Sequence, residues 1–360
     1  MTSPVRRVLI YRLGSLGDTM VVLPSLRFVA RSFPSAERRM LTNIPVHAKA
    51  PAASAIIGDS DLIHGYLSYP VGTRKPVELA RLWWSIRRFR PDILIYLTKP
   101  RGDAAIRRDA RFFRLCGVKR IIGLPVGEYG KNLHLAENLW ESEASRLARS
   151  LSELGRIDVQ DLANWDLQFT PGEVAKASAI LAPLAGKPLL AMGIGTKVQA
   201  KDWGGENWHA LTARLADAFP EHGLVLVGAK EDHAVSEAVR SAWQSISVNL
   251  CGELTPRETA AVLRRAELFL GPDSGPMHFA AAAGVPCAIA FAARTKPGVW
   301  YPVGNAHRVV YHRVSCAECN LEVCIEQQKR CLTSITVDEM FAAAVDAWKD
   351  AQIRRSGQPV

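Results

Sequence analysis

Three loops carry residue types that can do chemistry. The first, Arg12-Leu13-Gly14-Ser15-Leu16-Gly17-Asp18, sets two glycines three positions apart before a carboxylate. Gly14 and Gly17 allow a tight turn and a close backbone approach by a ligand. The spacing is not the G-x-G-x-x-G of a dinucleotide site, and no Gly-Lys-Ser/Thr follows to make a P-loop. What remains is Asp18, presented at a helix start. Its plainest role is a cap on that helix, and spacing alone favours the cap.

The second loop is Gly271-Pro272-Asp273-Ser274-Gly275-Pro276-Met277-His278, leading into Phe279-Ala280-Ala281-Ala282-Ala283-Gly284. Free N–H groups at such a helix start, with the helix dipole, suit a diphosphate. Asp273 offers an acceptor for hydroxyls and His278 a donor for a phosphate oxygen, with Ser274 and Gly275 in the turn. The plainer alternative is a capped turn with a buried histidine. The third loop, Gly193 to Trp203, holds Thr196, Lys197 and Lys201. Hydroxyl and ammonium donors there can neutralise a leaving diphosphate without a metal. Either lysine alone reads more simply as part of a solvated loop.

Three weaker signals stand apart. Asp59-Ser60-Asp61 matches a D-x-D metal pattern, but it precedes a strand rather than following one. Cys316, Cys319, Cys324 and Cys331 have irregular spacing with one two-residue gap, so a reduced structural thiol cluster on a connecting segment is the first reading. Trp83 and Trp84, with Arg81, Arg87, Arg88 and Arg90, form a basic aromatic helix that suits an anionic membrane face or is simply an outer helix.

These loops need elements to position them. Short apolar runs at Val8–Tyr11, Arg39–Leu41, 91–97 and Arg120–Gly123 alternate with amphipathic stretches at Met20–Ser32, Val77–Phe89 and Ala104–Cys116. The pattern then repeats, from a Thr170-capped helix at Pro171–Leu184 through strands at Pro188–Gly193, Gly223–Gly228, Val248–Leu250, Leu268–Gly271 and Cys287–Phe291. Alternation of this kind predicts parallel sheets covered on both faces. The expected division is a first α/β domain over 1–168, a second over 169–335, and a last helix within 336–360. The pattern breaks at Asn164-Trp165-Asp166, and closing a cleft is expected to need hinge motion at 160–172. Two Rossmann-like domains facing a cleft would place ligands beyond the carboxyl ends of the strands, where the three loops lie.

Composition agrees with this frame. The chain has 360 residues, 48% hydrophobic and 22% charged, which excludes a largely disordered chain and suits two domains. Its 45 Lys and Arg against 35 Asp and Glu give a net charge of +10, favouring anionic partners. No nucleic-acid-binding signature appears, so no nucleic-acid partner is expected. No stretch approaches the roughly 20 apolar residues of a membrane span, and Arg12 and Asp18 argue against a leader peptide, so a cytoplasmic chain is expected.

Taken together and in order, Arg-Leu-Gly-Ser-Leu-Gly-Asp at 12–18, Gly-Thr-Lys with Lys-Asp-Trp at 195–203, Asp-Ser-Gly-Pro-Met-His at 273–278 and Ala-Ala-Ala-Gly-Val-Pro at 281–286 resemble glycosyltransferase family 9, the lipopolysaccharide heptosyltransferases. The resemblance covers nearly the whole chain. It implies a GT-B fold whose final helix crosses back to the first domain. It also implies an inverting transfer of a sugar, a heptose, from a nucleoside-diphosphate donor, typically ADP-linked, to a lipopolysaccharide-core or other glycolipid acceptor. No catalytic metal or cofactor is implied, and peripheral contact with the inner membrane face is expected. By the same resemblance Asp18 is the general base, with Arg12, Gly14, Ser15 and Gly17 in the acceptor-side loop. Lys201 meets the donor phosphates, beside the Thr196 and Lys197 donors of its loop, while Asp273 holds the donor, and Ser274, Gly275 and His278 form the phosphate turn. Phe291-Ala292-Ala293-Arg294-Thr295 departs from the family's usual Phe-Gly-Pro-Thr. The other readings in play are a sugar-nucleotide epimerase or hydrolase of similar fold and a non-catalytic nucleotide-binding protein.

Overall fold

The structure is a computed structural model that describes residues 4–43, 52–58, 60–70 and 72–356. It divides into two compact units, Met1–Leu167 and Gln168–Val360.

In the first unit, β1 (Arg7–Tyr11), α1 (Leu16–Met20), α2 (Leu23–Ser32), β2 (Glu37–Asn43), α3 (Ser54–Ile57), β3 (Gly65–Tyr69), α4 (Pro76–Phe89), β4 (Ile93–Tyr96), α5 (Asp103–Leu115) and β5 (Arg120–Ile122) follow in order. A small antiparallel pair, β6 (His134–Ala136) and β7 (Leu139–Trp140), and helix α6 (Glu143–Ser150) complete it. The sheet is parallel with order β3-β2-β1-β4-β5. Val8, Leu9 and Ile10 are fully buried, as are Leu94 and Ile95. Continuous apolar runs of this kind belong to strands covered on both faces. Helices α4 and α5 put Leu82, Ile86, Phe89 and Phe113 against Leu9, Tyr11, Leu94 and Tyr96. Helix α4 stops where Arg90 turns left-handed at φ 52° ahead of Pro91.

The second unit runs α7 (Pro171–Ile180), β8 (Leu189–Met192), α8 (Gly205–Ala218), β9 (Gly223–Leu226), α9 (His233–Arg240), β10 (Ser247–Asn249), α10 (Pro256–Leu263), β11 (Leu268–Pro272), α11 (Gly275–Ala282), β12 (Cys287–Phe291), β13 (Arg308–Tyr311), α12 (Arg330–Thr333) and α13 (Val337–Arg355). Its six strands are parallel, in the order β10-β9-β8-β11-β12-β13. Thr170 and Thr255 each open a helix with proline next and glutamate at the third position, a reciprocal capping arrangement. Buried Arg257 joins the two helices by binding Glu173 at 2.5 Å.

Helix α13 packs on α8, β11, β12 and β13 of its own unit, burying Met340, Ala344 and Ala347 there. The segment around Asn164-Trp165-Asp166 belongs to the first unit. Trp165 and Asn164 are buried, Trp165 Nε1 donates to Val159 O at 2.9 Å, and Arg31 donates to Asn164 Oδ1 at 2.8 Å. Edge strands β3 and β13, half-exposed and without a long apolar run, carried no clear sequence signal.

Candidate functional site

Strand order explains which loops meet. In the first sheet the chain moves from β1 to β2 and β3, then returns to add β4 on the other side of β1. The second sheet does the same about β8 and β11. Ligand-binding crevices in open parallel sheets form at such reversals, beyond the carboxyl ends of the two strands. The paired loops are thus 12–18 with 97–102, and 193–203 with 273–278.

At the first reversal Asp18 sits in the first turn of α1. Its Oδ2 accepts from Ser15 N at 2.9 Å, so the capping role is real. Its Oδ1 also lies 3.0 Å from Lys99 Nζ and 3.7 Å from Arg12. Burial pushes the Asp18 pKa up, but Lys99, Arg12 and the Ser15 N–H pull harder, and the net value falls well below the usual carboxylate range. The stability from this lowered pKa is present above the ordinary range and is lost as pH falls through the folded value. Buried Arg12 works on the backbone, donating to Leu97 O at 2.6 Å and to the Asp18 carbonyl. It ties the two loops together. Gly14 has φ +135°, and a Cβ there would stand 2.3 Å from that of Asp18. Only glycine lets the loop pass so close. Gly14 N donates to Asn43 Oδ1 at 3.1 Å, and Gly17 O accepts from Val21 N at 3.0 Å.

Lys99 was not anticipated. It follows β4, the position where the strand-end rule would have sent a search, but the loop has a single glycine, Gly102, and no paired-glycine turn to draw attention. Next to it, Arg101 donates to Tyr11 Oη at 2.9 Å and to Asp109 Oδ2 at 2.5 Å, pinning the loop that holds Lys99.

At the second reversal Lys201 and Asp273 come together. Lys201 Nζ lies 2.6 Å from Asp273 Oδ2 and donates to Asp273 O at 3.1 Å. The carboxylate is 4% exposed, and the ammonium keeps one further N–H for a ligand. Ser274 precedes α11, whose first residue is Gly275, and its buried Oγ has no hydrogen-bond partner among the described residues. His278 is buried in the first turn or so of α11, edge-on to Trp300 with centroids 6.4 Å apart. Gly193 allows α11 to sit close, since a Cβ there would be 3.2 Å from Pro276. Thr196 Oγ1 accepts from Val198 N at 3.3 Å, so it shapes the loop, while Lys197 is exposed. Gly195 faces Asp232, whose carboxylate a Cβ would strike at 2.1 Å.

The cysteine segment is not remote from this loop, as the sequence suggested. Ala200 N donates to Glu322 O at 3.0 Å, Cys324 N to Gln199 Oε1 at 2.8 Å, and Lys329 Nζ to Asp202 O at 2.8 Å. Arg294 reaches Leu321 O at 2.7 Å and Asn320 O at 2.8 Å. Residues 318–329 therefore brace the loop that carries Lys201. Burial pushes the Cys331 thiol up, a hydrogen bond at Ala293 opposes this, and the other three cysteines add to the rise. Among the described residues no three His, Cys, Asp or Glu side chains stand in metal-holding geometry. Asp59 lies outside the described residues. Asp61 O accepts from Arg38, a structural contact.

The family model for glycosyltransferase family 9 (heptosyltransferase) matches residues 132–330, more than half the chain. A lipopolysaccharide core heptosyltransferase, OpsX, of Haemophilus influenzae is 25% identical over 150 residues, 41% of each chain, so the match spans under half of that relative. Among solved structures, a family 9 glycosyltransferase of Veillonella parvula has a TM-score of 0.72 at 16% identity, covering 97% of this chain and 99% of that one. The ADP-heptose lipopolysaccharide heptosyltransferase II of E. coli has a TM-score of 0.63 at 18% identity, covering 96% and 99%. E. coli heptosyltransferase WaaC with ADP-2-deoxy-2-fluoro heptose has 0.59 at 17%, covering 92% and 97%. These likenesses show the GT-B fold, with two Rossmann-like domains.

Proposed function

The chain belongs to glycosyltransferase family 9, the heptosyltransferases, and from that premise we propose that it transfers a heptose, with inversion, from an ADP-linked donor to a lipopolysaccharide-core acceptor. Relatives support this reading of donor and acceptor: E. coli WaaC has been solved with ADP and with ADP-2-deoxy-2-fluoro heptose, and OpsX is a lipopolysaccharide core heptosyltransferase. One observation carries the chemistry. Each strand-order reversal pairs a carboxylate with a lysine, the largely buried Asp18 with Lys99 and the buried Asp273 with Lys201.

In this mechanism the donor diphosphate binds over the start of α11, whose free N–H groups and dipole favour anions. Lys201 gives its remaining N–H, and Ser274 Oγ and His278 are further donors, with Thr196 and Lys197 shaping and flanking the loop. Asp18 takes the proton of the acceptor hydroxyl as its oxygen attacks the anomeric carbon. The bond to the diphosphate breaks on the opposite face, so one displacement inverts the centre. Protein cations and N–H dipoles take the charge of the leaving group, with no metal or cofactor. Activity is therefore expected to persist after dialysis against EDTA; its loss, with recovery on adding back a divalent ion, overturns that part of the mechanism. The acceptor would be lipid-linked, met at the inner membrane face.

Lys99 holds the base too weak for its task, since a depressed pKa reduces proton affinity. An acceptor anion that draws Lys99 away would release Asp18. The acid limb of the kcat/KM profile is expected below the ordinary aspartate range in the wild type, and Lys99→Met is expected to move it upward. An unmoved limb separates Lys99 from the base. To test the donor, melting temperatures should be compared across ADP-, UDP- and GDP-linked sugars, because selective binding stabilises the folded state. A selective rise with ADP-linked heptose, followed by an inverted product in the presence of acceptor, is expected. Donor hydrolysis or epimerisation without acceptor would overturn the transferase reading.

A further inference from the structure

We propose that the outer face formed by α4 and α5 of the first unit docks on the surface of an anionic phospholipid bilayer. The two helices cover the same core and meet at one end, where Trp83 Nε1 donates to Leu115 O at 3.1 Å. Large apolar side chains are exposed on the outer surface of the two helices. Trp84 is 63% exposed, Leu115 71% and Val77 61%. An indole that touches only partly onto Trp83, with ring centroids 6.4 Å apart, and a largely exposed leucine suit the boundary between headgroups and acyl chains.

Charge selects the occupant. Arg81, Arg87 and Arg88 on α4 and Arg107, Arg111 and Arg114 on α5 are all exposed. Three carboxylates lie on the two helices. Asp109 is buried against Arg101 and Arg108, and Glu78 is held by Lys75 at 3.6 Å, which leaves Asp103 as the third. Arginine suits phosphate through paired N–H donors, and its long stem covers apolar surface while the head stays wet. A shallow groove of about 430 Å³ beside α5, lined by Arg107, Arg108, Arg111, Phe112 and Leu115, joins both chemistries at the scale of a phosphate headgroup. Arg87 lies over the Trp83 ring at 5.2 Å, keeping cation and indole side by side. A polynucleotide would use the arginines but leave Trp84, Leu115 and Val77 without apolar cover, and a second basic copy would be repelled.

The test is vesicle flotation of the full chain, with no donor present, so the result is independent of the transfer reaction. Vesicles of neutral phosphatidylcholine are compared with vesicles containing one third phosphatidylglycerol, at low and high salt. Binding is expected only to the anionic vesicles, weakening as salt rises. Arg107→Gln with Arg111→Gln is expected to weaken it about 25-fold, near fivefold for each arginine. Trp84→Ser with Leu115→Ser is expected to weaken it about tenfold or more at unchanged charge. Near-ultraviolet dichroism and melting confirm that each variant is folded; if a pair is not, the single changes Arg111→Gln and Trp84→Ser give the same readings at smaller size. Equal binding to neutral vesicles, no binding, full binding by folded variants, or release by a short oligonucleotide at stoichiometric amounts each overturns the proposal.

Discussion

Asp18→Asn is expected to lower kcat by about 10²- to 10⁴-fold, the usual contribution of a positioned general base, while leaving donor affinity unchanged. The substitution is chosen because it separates the two roles of this side chain. Asn keeps an acceptor oxygen for the Ser15 N–H, now bonded at 2.9 Å, so the start of α1 stays capped. What it removes is proton affinity and the charge that draws Lys99 and Arg12. Steady-state kinetics with a glycan acceptor, beside calorimetric titration of the donor diphosphate, reads both. Turnover near the wild-type level would refute the base role and leave Asp18 as a helix cap. A comparable loss of donor affinity would place Asp18 on the donor side instead.

The chemistry-bearing loops were legible because they announce themselves. Gly14 and Gly17, and the Asp273–His278 turn, follow apolar runs too short for helices, and strand ends are where parallel sheets keep their ligands. The partners of those loops were not legible. Lys99 and Asp18 are 81 residues apart and Lys201 and Asp273 are 72 apart, and only the order of strands brings each pair together. That order depends on where the chain turns back, and β3 and β13 lacked the pattern to show it. The bracing of the lysine loop by 318–329 was hidden for another reason. Two of its three bonds run through the main chain of Glu322 and Cys324, and main-chain partners leave no mark in residue type. The four cysteines drew the eye for their thiols, while the contacts that matter to the loop are made by Glu322, by the main-chain N–H of Cys324 and by Lys329.

Lys201→Met is expected to produce two losses that a merely structural lysine would not combine. The first is stability. The pair is 18% and 4% exposed, so removing the ammonium strands the Asp273 carboxylate in a place water scarcely reaches. Breaking a buried pair from one side costs about 3–5 kcal/mol. The second is donor binding, expected to weaken about 100-fold, the size of one charge-assisted hydrogen bond to a diphosphate. A double variant, Lys201→Met with Asp273→Asn, distinguishes the two. It removes the stranded charge, so most of the lost stability should return in a denaturant melt. Donor affinity should stay low, because the N–H that met the phosphate is still missing. If affinity recovers together with stability, Lys201 acts only by holding Asp273 in place, and the diphosphate must rest on the N–H groups of α11 with Ser274 and His278. If the single variant melts like the wild type, the ion pair itself carries little weight, and the short contact between Lys201 and Asp273 is a consequence of the loop bracing rather than its reward.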